Sequence, residues 1–220
     1  ICGGLNINIG TLNKNTIPSM FLAGKKANAL GHIVLLDPVG AGASRLRTDT
    51  ANRLMREVRF DAVRGNISEI KTLCTGSGTT KGVDADAVDA VTEANLDDGV
   101  ALVKAFAKQT GCIIAVTGAI DLVSDGERCW CIRNGRAEMS RITGTGCQLS
   151  ALMTAFLVAN PDRKLDAAAA AVCMMGLAGE IGWANMQPGD GNSTYRSRII
   201  DAIFNMTGDA LEKGAKYELR

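Results

Sequence analysis

Two glycines and a cysteine precede an apolar stretch in the segment Arg141–Cys147, which reads Arg-Ile-Thr-Gly-Thr-Gly-Cys. The residues that follow, Gln148 to Ala159, are apolar at helical spacing and predict a helix. Gly144 and Gly146 allow a tight turn that directs unpaired amide N–H groups, and the positive end of the helix dipole, at one point. Such a point favours an anion, and Cys147 lies beside it as a candidate proton acceptor. We interpret the segment as the phosphate-holding loop of a small-molecule kinase, although the same motif also occurs as a plain turn.

Three polar residues directly follow predicted strands. Asp37 ends the apolar run that begins at Ile33, Arg64 ends a short strand from Ala62, and Thr117 ends a strand from Cys112. In parallel α/β sheets ligands bind beyond the carboxyl ends of the strands, so these side chains are expected to meet at one edge. Asp37 is a candidate Mg²⁺ ligand, direct or through water, or else begins an Asx turn before proline. Arg64 is a candidate phosphate-binding guanidinium.

The remaining motifs have two interpretations each. Asn66 and Glu69 either belong to the site or form a variant capping box at a helix start. Thr117, followed by Gly118, either gives its hydroxyl to a nucleotide phosphate or ends its strand in an ordinary turn. Gly76–Lys81 superficially resembles a P-loop, but its glycines and lysine do not have the GxxxxGK[ST] spacing and no strand precedes it. We therefore predict a surface loop.

Strand and helix patterns alternate along the chain. We predict strands at 5–9, 33–36, 62–64, 112–117, 121–124, 128–133 and 216–219, and helices at 16–30, 49–59, 96–108 and near 147–160, 165–186 and 193–206, with a short one from Asn66. Thr16 and Thr48 are the expected helix caps, Asn134-Gly135 the expected hairpin turn, and residues 72–87 a loop. Repeated β-α-β units with continuous apolar strands predict a single α/β domain over residues 1–220, with a mostly parallel sheet and helices on both faces.

Composition narrows the class of protein. Hydrophobic residues make up 46% of the 220 and charged residues 21%, an ordinary globular balance. The net charge is +1, and the sequence has no block of like charges, which argues against nucleic acid or a membrane surface as a partner. The longest apolar run, Ala167 to Met175, is too short to cross a bilayer. Seven scattered cysteines and a single histidine indicate reduced thiols in a cytoplasmic protein and argue against zinc.

With these motifs in place, the chain resembles the hydroxyethylthiazole kinase family, the thiazole-salvage enzymes of thiamine biosynthesis. The resemblance spans essentially the whole chain in the family's order. Its segments are Asn8–Leu12, Leu36–Ala43, Arg64–Asn66 with Glu69, Lys81–Asp84, Val116–Gly118 and Thr143–Cys147. Related ribokinase-like enzymes usually carry aspartate where this chain has Cys147, so the cysteine favours a thiazole kinase over a phosphomethylpyrimidine kinase.

The resemblance implies a ribokinase-like three-layer α/β fold and a homotrimer with active sites between subunits. It implies phosphoryl transfer from ATP to 5-(2-hydroxyethyl)-4-methylthiazole. The implied roles are ATP contacts at Arg64, Thr117 and Asn66, thiazole contacts at Gly144 and Gly10, Mg²⁺ and its waters at Asp37 and Glu69, and catalysis by Gly144, Gly146 and Cys147.

The resemblance also leaves alternatives. Family members carry roughly sixty further residues at the front, including a first strand and a methionine of the thiazole pocket, so we expect that a segment is missing before Ile1. A truncated or inactive nucleotide-binding homologue and a phosphomethylpyrimidine-type kinase therefore remain alternatives. A nicotinamide-dependent Rossmann protein is disfavoured because the GxGxxG fingerprint is incomplete and the expected acidic residue is absent.

Overall fold

The computed structural model describes residues 2–76 and 90–220, which include a seven-stranded sheet in the order β1 to β7. The strands are β1 (Gly4–Asn8), β2 (Ile33–Asp37), β3 (Ala62–Asn66), β4 (Ile113–Thr117), β5 (Asp121–Ser124), β6 (Cys129–Ile132) and β7 (Tyr217–Leu219). The first four run parallel and the last three antiparallel. The carboxyl ends of β1 to β4 therefore share one edge, as the sequence predicted.

Helices cover both faces of this sheet. One face packs against α1 (Thr16–Ala29), α2 (Arg45–Glu57), α3 (Ile67–Gly76) and α4 (Leu96–Thr110). The other packs against α5 (Thr145–Ala159), α6 (Lys164–Ala184) and α7 (Asn192–Asn205), with α8 (Gly208–Gly214) joining α7 to β7. Strand β2 is apolar from Ile33 to Leu36 because Val34 and Leu36 face one layer while Leu35 faces the other. The predicted three-layer, mostly parallel α/β fold is confirmed.

Two predicted helix caps are wrong. Ser44, not Thr48, caps α2, and its hydroxyl accepts the N–H of Arg47 at 3.4 Å. Thr48 lies inside the helix, where its hydroxyl donates to the Ser44 carbonyl at 3.0 Å. Thr16 is the first residue of α1 rather than its cap. The side chain of Asn13 accepts the N–H of Thr16 at 2.9 Å and takes the capping role.

The hairpin between β5 and β6 turns at Asp125–Arg128, not at the predicted Asn134-Gly135. Asp125 Oδ1 accepts the N–H of Arg128 at 2.8 Å, which closes that turn. Asn134-Gly135 follows β6 and leads into a 3₁₀ helix at Ala137–Arg141. Gly135 has a φ of +116°, but the Asn-Gly pair lies in irregular chain that leaves the sheet instead of joining two strands.

The predicted loop at residues 72–87 begins too early, because Thr72 to Gly76 continue α3. Residues 77–89 lie outside the described residues, and with them the Lys81–Asp84 segment and most of the P-loop-like motif. Helix α8 was not predicted, because its seven residues are too few to show periodicity.

Helix α6 is long and apolar enough to cross a membrane by its length and composition alone, but 67% of its apolar stretch is buried inside the protein. It lies against α5, α7 and the sheet, with thirteen buried residues from Leu165 to Gly182. A core helix explains this composition.

Candidate active site

The predicted site residues converge at the carboxyl edge of the parallel strands, where α5 begins. Asp37 ends β2, Thr117 ends β4, and Arg64 lies near the end of β3. Side chains from β1 and β2 reach α5 here: Asn8 contacts Cys147, and Asp37 contacts Ser150. One edge therefore holds a carboxylate, a guanidinium, a hydroxyl and a thiol.

The start of α5 has the geometry expected of an anion site. Gly144 precedes the helix with a φ of +97°, and a Cβ placed on it would meet no atom within 4 Å. The first intrahelical bond there is the Gln148 N–H to the Gly144 carbonyl, at 2.9 Å. Within residues 2–76 and 90–220, the amide groups of Thr145, Gly146 and Cys147 have no hydrogen-bond acceptor. Three free donors and the helix dipole thus point into open space.

Asp37 is fully buried and only half satisfied. Its Oδ2 accepts from Asn8 Nδ2 and from Ser150 Oγ, each at 2.8 Å. Its Oδ1 has no hydrogen-bond partner, and Arg64 Nη1 lies 3.8 Å away. Burial raises the pKa of Asp37, while Arg64 and side-chain interactions with Ser150, Asn8 and Cys147 oppose that rise. The unpartnered Oδ1 is an acceptor left for a cation or a water.

Arg64 is held between the sheet and the start of α5. Its Nη2 donates to Thr117 Oγ1 at 2.6 Å, and its side chain is 13% exposed. A Cβ placed on Gly146 would lie 2.5 Å from Arg64 Nη1, so the guanidinium rests directly on this glycine. The close approach brings a fixed positive charge beside the free amides of α5.

Asn66 and Glu69 form the capping box that the sequence left open. Asn66 Oδ1 accepts the Glu69 N–H, and Glu69 Oε2 accepts the Asn66 N–H, each at 2.8 Å. Glu69 Oε1 also accepts the N–H of Gly40 at 2.8 Å, which ties the loop after β2 to α3. Each carboxylate oxygen retains a second lone pair that can accept from a water. The nucleotide role of Asn66 and the metal role of Glu69 stay predictions.

Gly10 is linked to the same site through its backbone. Its N–H donates to Asn8 Oδ1 at 2.8 Å, and its carbonyl accepts from Arg47 Nη2 at 3.0 Å. Gly10 lies two residues beyond the end of β1, close to Asn8 and therefore near Cys147. Its thiazole contact stays a prediction.

Sequence reasoning did not assign a role to Asn8, Ser150, Arg47 or Asp121. Asn8 ends a strand in the same way as Asp37 and Thr117, so its position was the signal that was available. Ser150 and Arg47 read only as helix residues, and no local pattern separates them from surface positions. Their place in the site depends on long-range contacts.

A cleft of about 590 Å³ extends from Arg64 and Thr117 along the start of α5. Gly118 and Asp121 form part of one wall of the cleft, and Asn134 and Gly135 form part of another. Burial raises the pKa of Asp121 to about 7, opposed by the N–H of Gly118 and by Arg64. The volume of the cleft lies in the range of small-molecule and cofactor sites.

Metal binding at this edge rests on few protein ligands. No cluster of three or more His, Cys, Asp or Glu residues suited to a metal ion occurs among the described residues. Mg²⁺ in phosphoryl-transfer sites is commonly held by one or two carboxylates together with substrate phosphates and water. The unpartnered Asp37 Oδ1, with Glu69 available through water, fits that mode of binding.

Comparison with known proteins gives consistent matches. The family model described as the hydroxyethylthiazole kinase family matches residues 1–209. A hydroxyethylthiazole kinase of Clostridium acetobutylicum is 55% identical over 218 residues, covering 99% of this chain and 80% of that protein. Another, from Clostridium beijerinckii, is 46% identical over 219 residues, covering 99% and 78%.

Two solved structures extend the comparison. A hydroxyethylthiazole kinase from Pyrococcus horikoshii OT3 superposes with a TM-score of 0.85 at 29% identity, covering 99% of this chain and 77% of that one. A pyridoxal kinase from Staphylococcus aureus in complex with AMP-PCP gives 0.59 at 17% identity, covering 99% and 72%. The second likeness concerns the fold alone.

Proposed function

Because the chain belongs to the hydroxyethylthiazole kinase family, we propose that it transfers the γ-phosphoryl group of ATP to the hydroxyl of 5-(2-hydroxyethyl)-4-methylthiazole in thiamine salvage. The observation that carries this proposal is the start of α5. Its three free amides lie beside the Cys147 thiol, with Arg64 resting on Gly146. This arrangement combines an anion site with a group able to contact an attacking hydroxyl.

ATP occupies the cleft that Arg64 and Thr117 line, with its phosphates towards α5. Arg64 is partly buried, and its contact with the Thr117 hydroxyl orients both groups for phosphate oxygens. Asn66 lies at the end of the neighbouring strand and is assigned to the same nucleotide. The free amides of Thr145, Gly146 and Cys147 receive the phosphoryl group as it is transferred.

Asp37 and Glu69 are the residues that hold Mg²⁺ with its waters. Asp37 supplies the unpartnered Oδ1, and Glu69 supplies lone pairs not used by its capping bonds. When bound with ATP, Mg²⁺ neutralises charge on the β- and γ-phosphates. Asn8 and Ser150 hold Asp37 in the orientation that leaves Oδ1 free.

In the transfer step, the hydroxyl oxygen of the thiazole alcohol forms a bond to the γ-phosphorus, and the bond from that phosphorus to the bridging oxygen of ADP breaks. Cys147 Sγ accepts the hydrogen bond of the attacking hydroxyl, and the proton leaves past that sulfur to solvent. Gly144 leaves room for the alcohol beside it, since it borders open space. Gly10 is assigned to the same alcohol. A loose transition state makes positioning and charge stabilisation more important here than proton removal.

The experiment is a phosphorylation assay with the thiazole alcohol, run against the hydroxymethylpyrimidine alcohol. We expect ADP formation that depends on the thiazole alcohol and on Mg²⁺, with little turnover of the pyrimidine. Preferential turnover of the pyrimidine would contradict the proposed substrate. No turnover of either alcohol, in protein that still binds ATP by calorimetry, would favour an inactive nucleotide-binding homologue.

We further propose a homotrimer with active sites between subunits, located in the cytoplasm. Exposed apolar side chains support contact between subunits, among them Phe204 with 88% exposure and Leu22 with 72%. The seven cysteines are all free, as in reducing compartments. Light scattering coupled to size exclusion measures the assembly, and a monomer that turns over at full rate would contradict the shared sites.

A further inference from the structure

We propose that Asn8 is a positioning residue that fixes the sulfur of Cys147 relative to the carboxylate of Asp37. The inference rests on the proposed function and adds a residue to its machinery. Asn8 contacts the two groups assigned to the hydroxyl and to the metal, and no other described side chain has hydrogen bonds to both.

The Asn8 amide uses each of its groups. Its Nδ2 donates to Asp37 Oδ2 at 2.8 Å and to Cys147 Sγ at 3.2 Å, while its Oδ1 accepts the Gly10 N–H at 2.8 Å. A flipped amide would place a donor against the Gly10 donor and an acceptor against the Asp37 carboxylate. The surroundings therefore allow one orientation, in which the sulfur receives a hydrogen bond.

This orientation has two chemical consequences. The hydrogen bond from Asn8 fixes the position of the Cys147 sulfur and sets the direction from which the sulfur can meet a hydroxyl. The second donor, with Ser150 Oγ, occupies Asp37 Oδ2, so Oδ1 is the oxygen that stays unpartnered. Asn8 thus determines which carboxylate oxygen faces a ligand and where the thiol lies beside it.

The backbone holds Asn8 firmly enough for this role. Asn8 is the last residue of β1 and pairs with Asp37 of β2 in parallel register. The Gly10 turn that fixes its Oδ1 is itself bonded to Arg47 of α2 at 3.0 Å. Three elements of the fold therefore constrain one amide.

The test replaces Asn8 with Ala, which removes all three contacts, and with Leu, which also removes them but keeps the size of the side chain and adds no charge beside Asp37. Asn28→Ala is the matched control. Asn28 also bonds through both ends of its amide, to the Arg59 N–H and carbonyl at 2.8 Å each, far from the site. Steady-state kinetics and alkylation of Cys147 by iodoacetamide, followed by peptide mass spectrometry, are the readouts.

We expect kcat to fall about tenfold or more in both Asn8 variants, equivalent to ~1.4 kcal/mol of barrier. The KM for ATP should change by less than about twofold, since the nucleotide cleft is untouched. The rate of Cys147 alkylation should change by about threefold or more, because the hydrogen bond that holds the sulfur in place is lost. Exposed Cys2 should react unchanged, and buried Cys74 should stay unreacted in a folded variant.

Alkylation and kcat that both match the Asn28→Ala control would overturn the proposal, and so would a change in only one of them. Alkylation needs no turnover. If the unaltered protein fails to phosphorylate the alcohol, the proposed function fails, and the alkylation rates alone then decide whether Asn8 positions the sulfur. If the Ala variant exposes its buried thiols, the Leu variant, which preserves size and charge, decides between the two outcomes.

Discussion

Gly146 lies beneath the guanidinium of Arg64, and its replacement by alanine tests whether that contact matters for catalysis. A Cβ at this position would lie 2.5 Å from Nη1 and 2.8 Å from Nη2 of Arg64, which is closer than atoms can approach. The atoms in the way belong to the far end of a flexible side chain, so Arg64 can swing aside. Alanine also favours the helical backbone of α5 over glycine. We therefore expect the Gly146→Ala variant to fold with nearly unchanged stability.

The cost should instead appear in turnover. Displacing Arg64 breaks its 2.6 Å bond to Thr117 Oγ1 and moves its charge away from Asp37 and the phosphate site. Hydrogen bonds to charged groups contribute about 1.5–3 kcal/mol, which corresponds to one to two decades in affinity or rate. We expect kcat/KM for ATP to fall by about this factor in Gly146→Ala and also in Arg64→Ala.

A double-mutant cycle separates this explanation from a general disturbance of α5. If alanine at 146 acts by displacing Arg64, it should cost less than about twofold once Arg64 is already alanine. Gly208→Ala, at the start of α8, is the control, because a Cβ there meets no atom within 4 Å. Full additivity of the two substitutions, or a Gly146→Ala variant with unaltered kcat/KM, would refute the steric argument.

Three further predictions concern neighbouring groups. Cys147→Ala should lower kcat yet leave measurable activity, whereas Cys147→Asp, which restores the carboxylate of related kinases, should stay active. If the Asp variant were folded but inactive while the Ala variant kept full activity, the role proposed for this position would be wrong. The pKa of Asp121 is raised from 3.8 to about 7, so its contribution to stability is present below pH 3.8 and is lost as the pH rises towards 7. Thermal denaturation should therefore show Asp121→Asn gaining stability relative to the unaltered protein across that range, and a constant difference would refute the shift. Glu180 accepts the N–H of Gly135 at 2.9 Å and so holds the Asn134-Gly135 segment in the wall of the cleft. Glu180→Gln should raise the KM for ATP by about threefold with kcat little changed, as steady-state kinetics would measure. An unchanged KM would mean that this segment takes no part in nucleotide binding.

The succession of strands and helices and their arrangement in three layers could be predicted because buried segments are apolar with a period that depends on the element. The run Ile33 to Leu36 is apolar throughout since both faces of β2 are covered, and Gly31 and Gly111 mark helix ends with positive φ values. The convergence of Asp37 and Thr117 followed from the geometry of parallel strands alone.

Local signals failed where two chemically equivalent candidates compete. Both Ser44 and Thr48 have side chains that can cap a helix. In the structure the helix begins directly after the earlier of the two, Ser44. Asn134-Gly135 has the composition of a hairpin turn but lies in irregular chain, where it bonds to Glu180 and to the chain before β7; these contacts are distant in sequence.

The sequence indicated which polar residues would lie at this edge of the sheet, but not how they contact one another. The capping box of Asn66 and Glu69 was predictable as one of two interpretations because its partners lie three residues apart. The bonds of Asn8 to Cys147 and of Ser150 to Asp37 join residues 139 and 113 apart, and no local pattern encodes such separations.

The same separations set the order in which the molecule can acquire its site during synthesis. A ribosome adds residues from the N-terminus at about 5–20 per second, so β1 and β2 emerge several seconds before α5. Until then Gly3 and Gly4, which later pack against Val158, and the buried carboxylate of Asp37 have no cover. Closing so long a loop is entropically costly and slow. The edge of the sheet that holds Asn8 and Asp37 can thus acquire its contacts with α5 only late in synthesis.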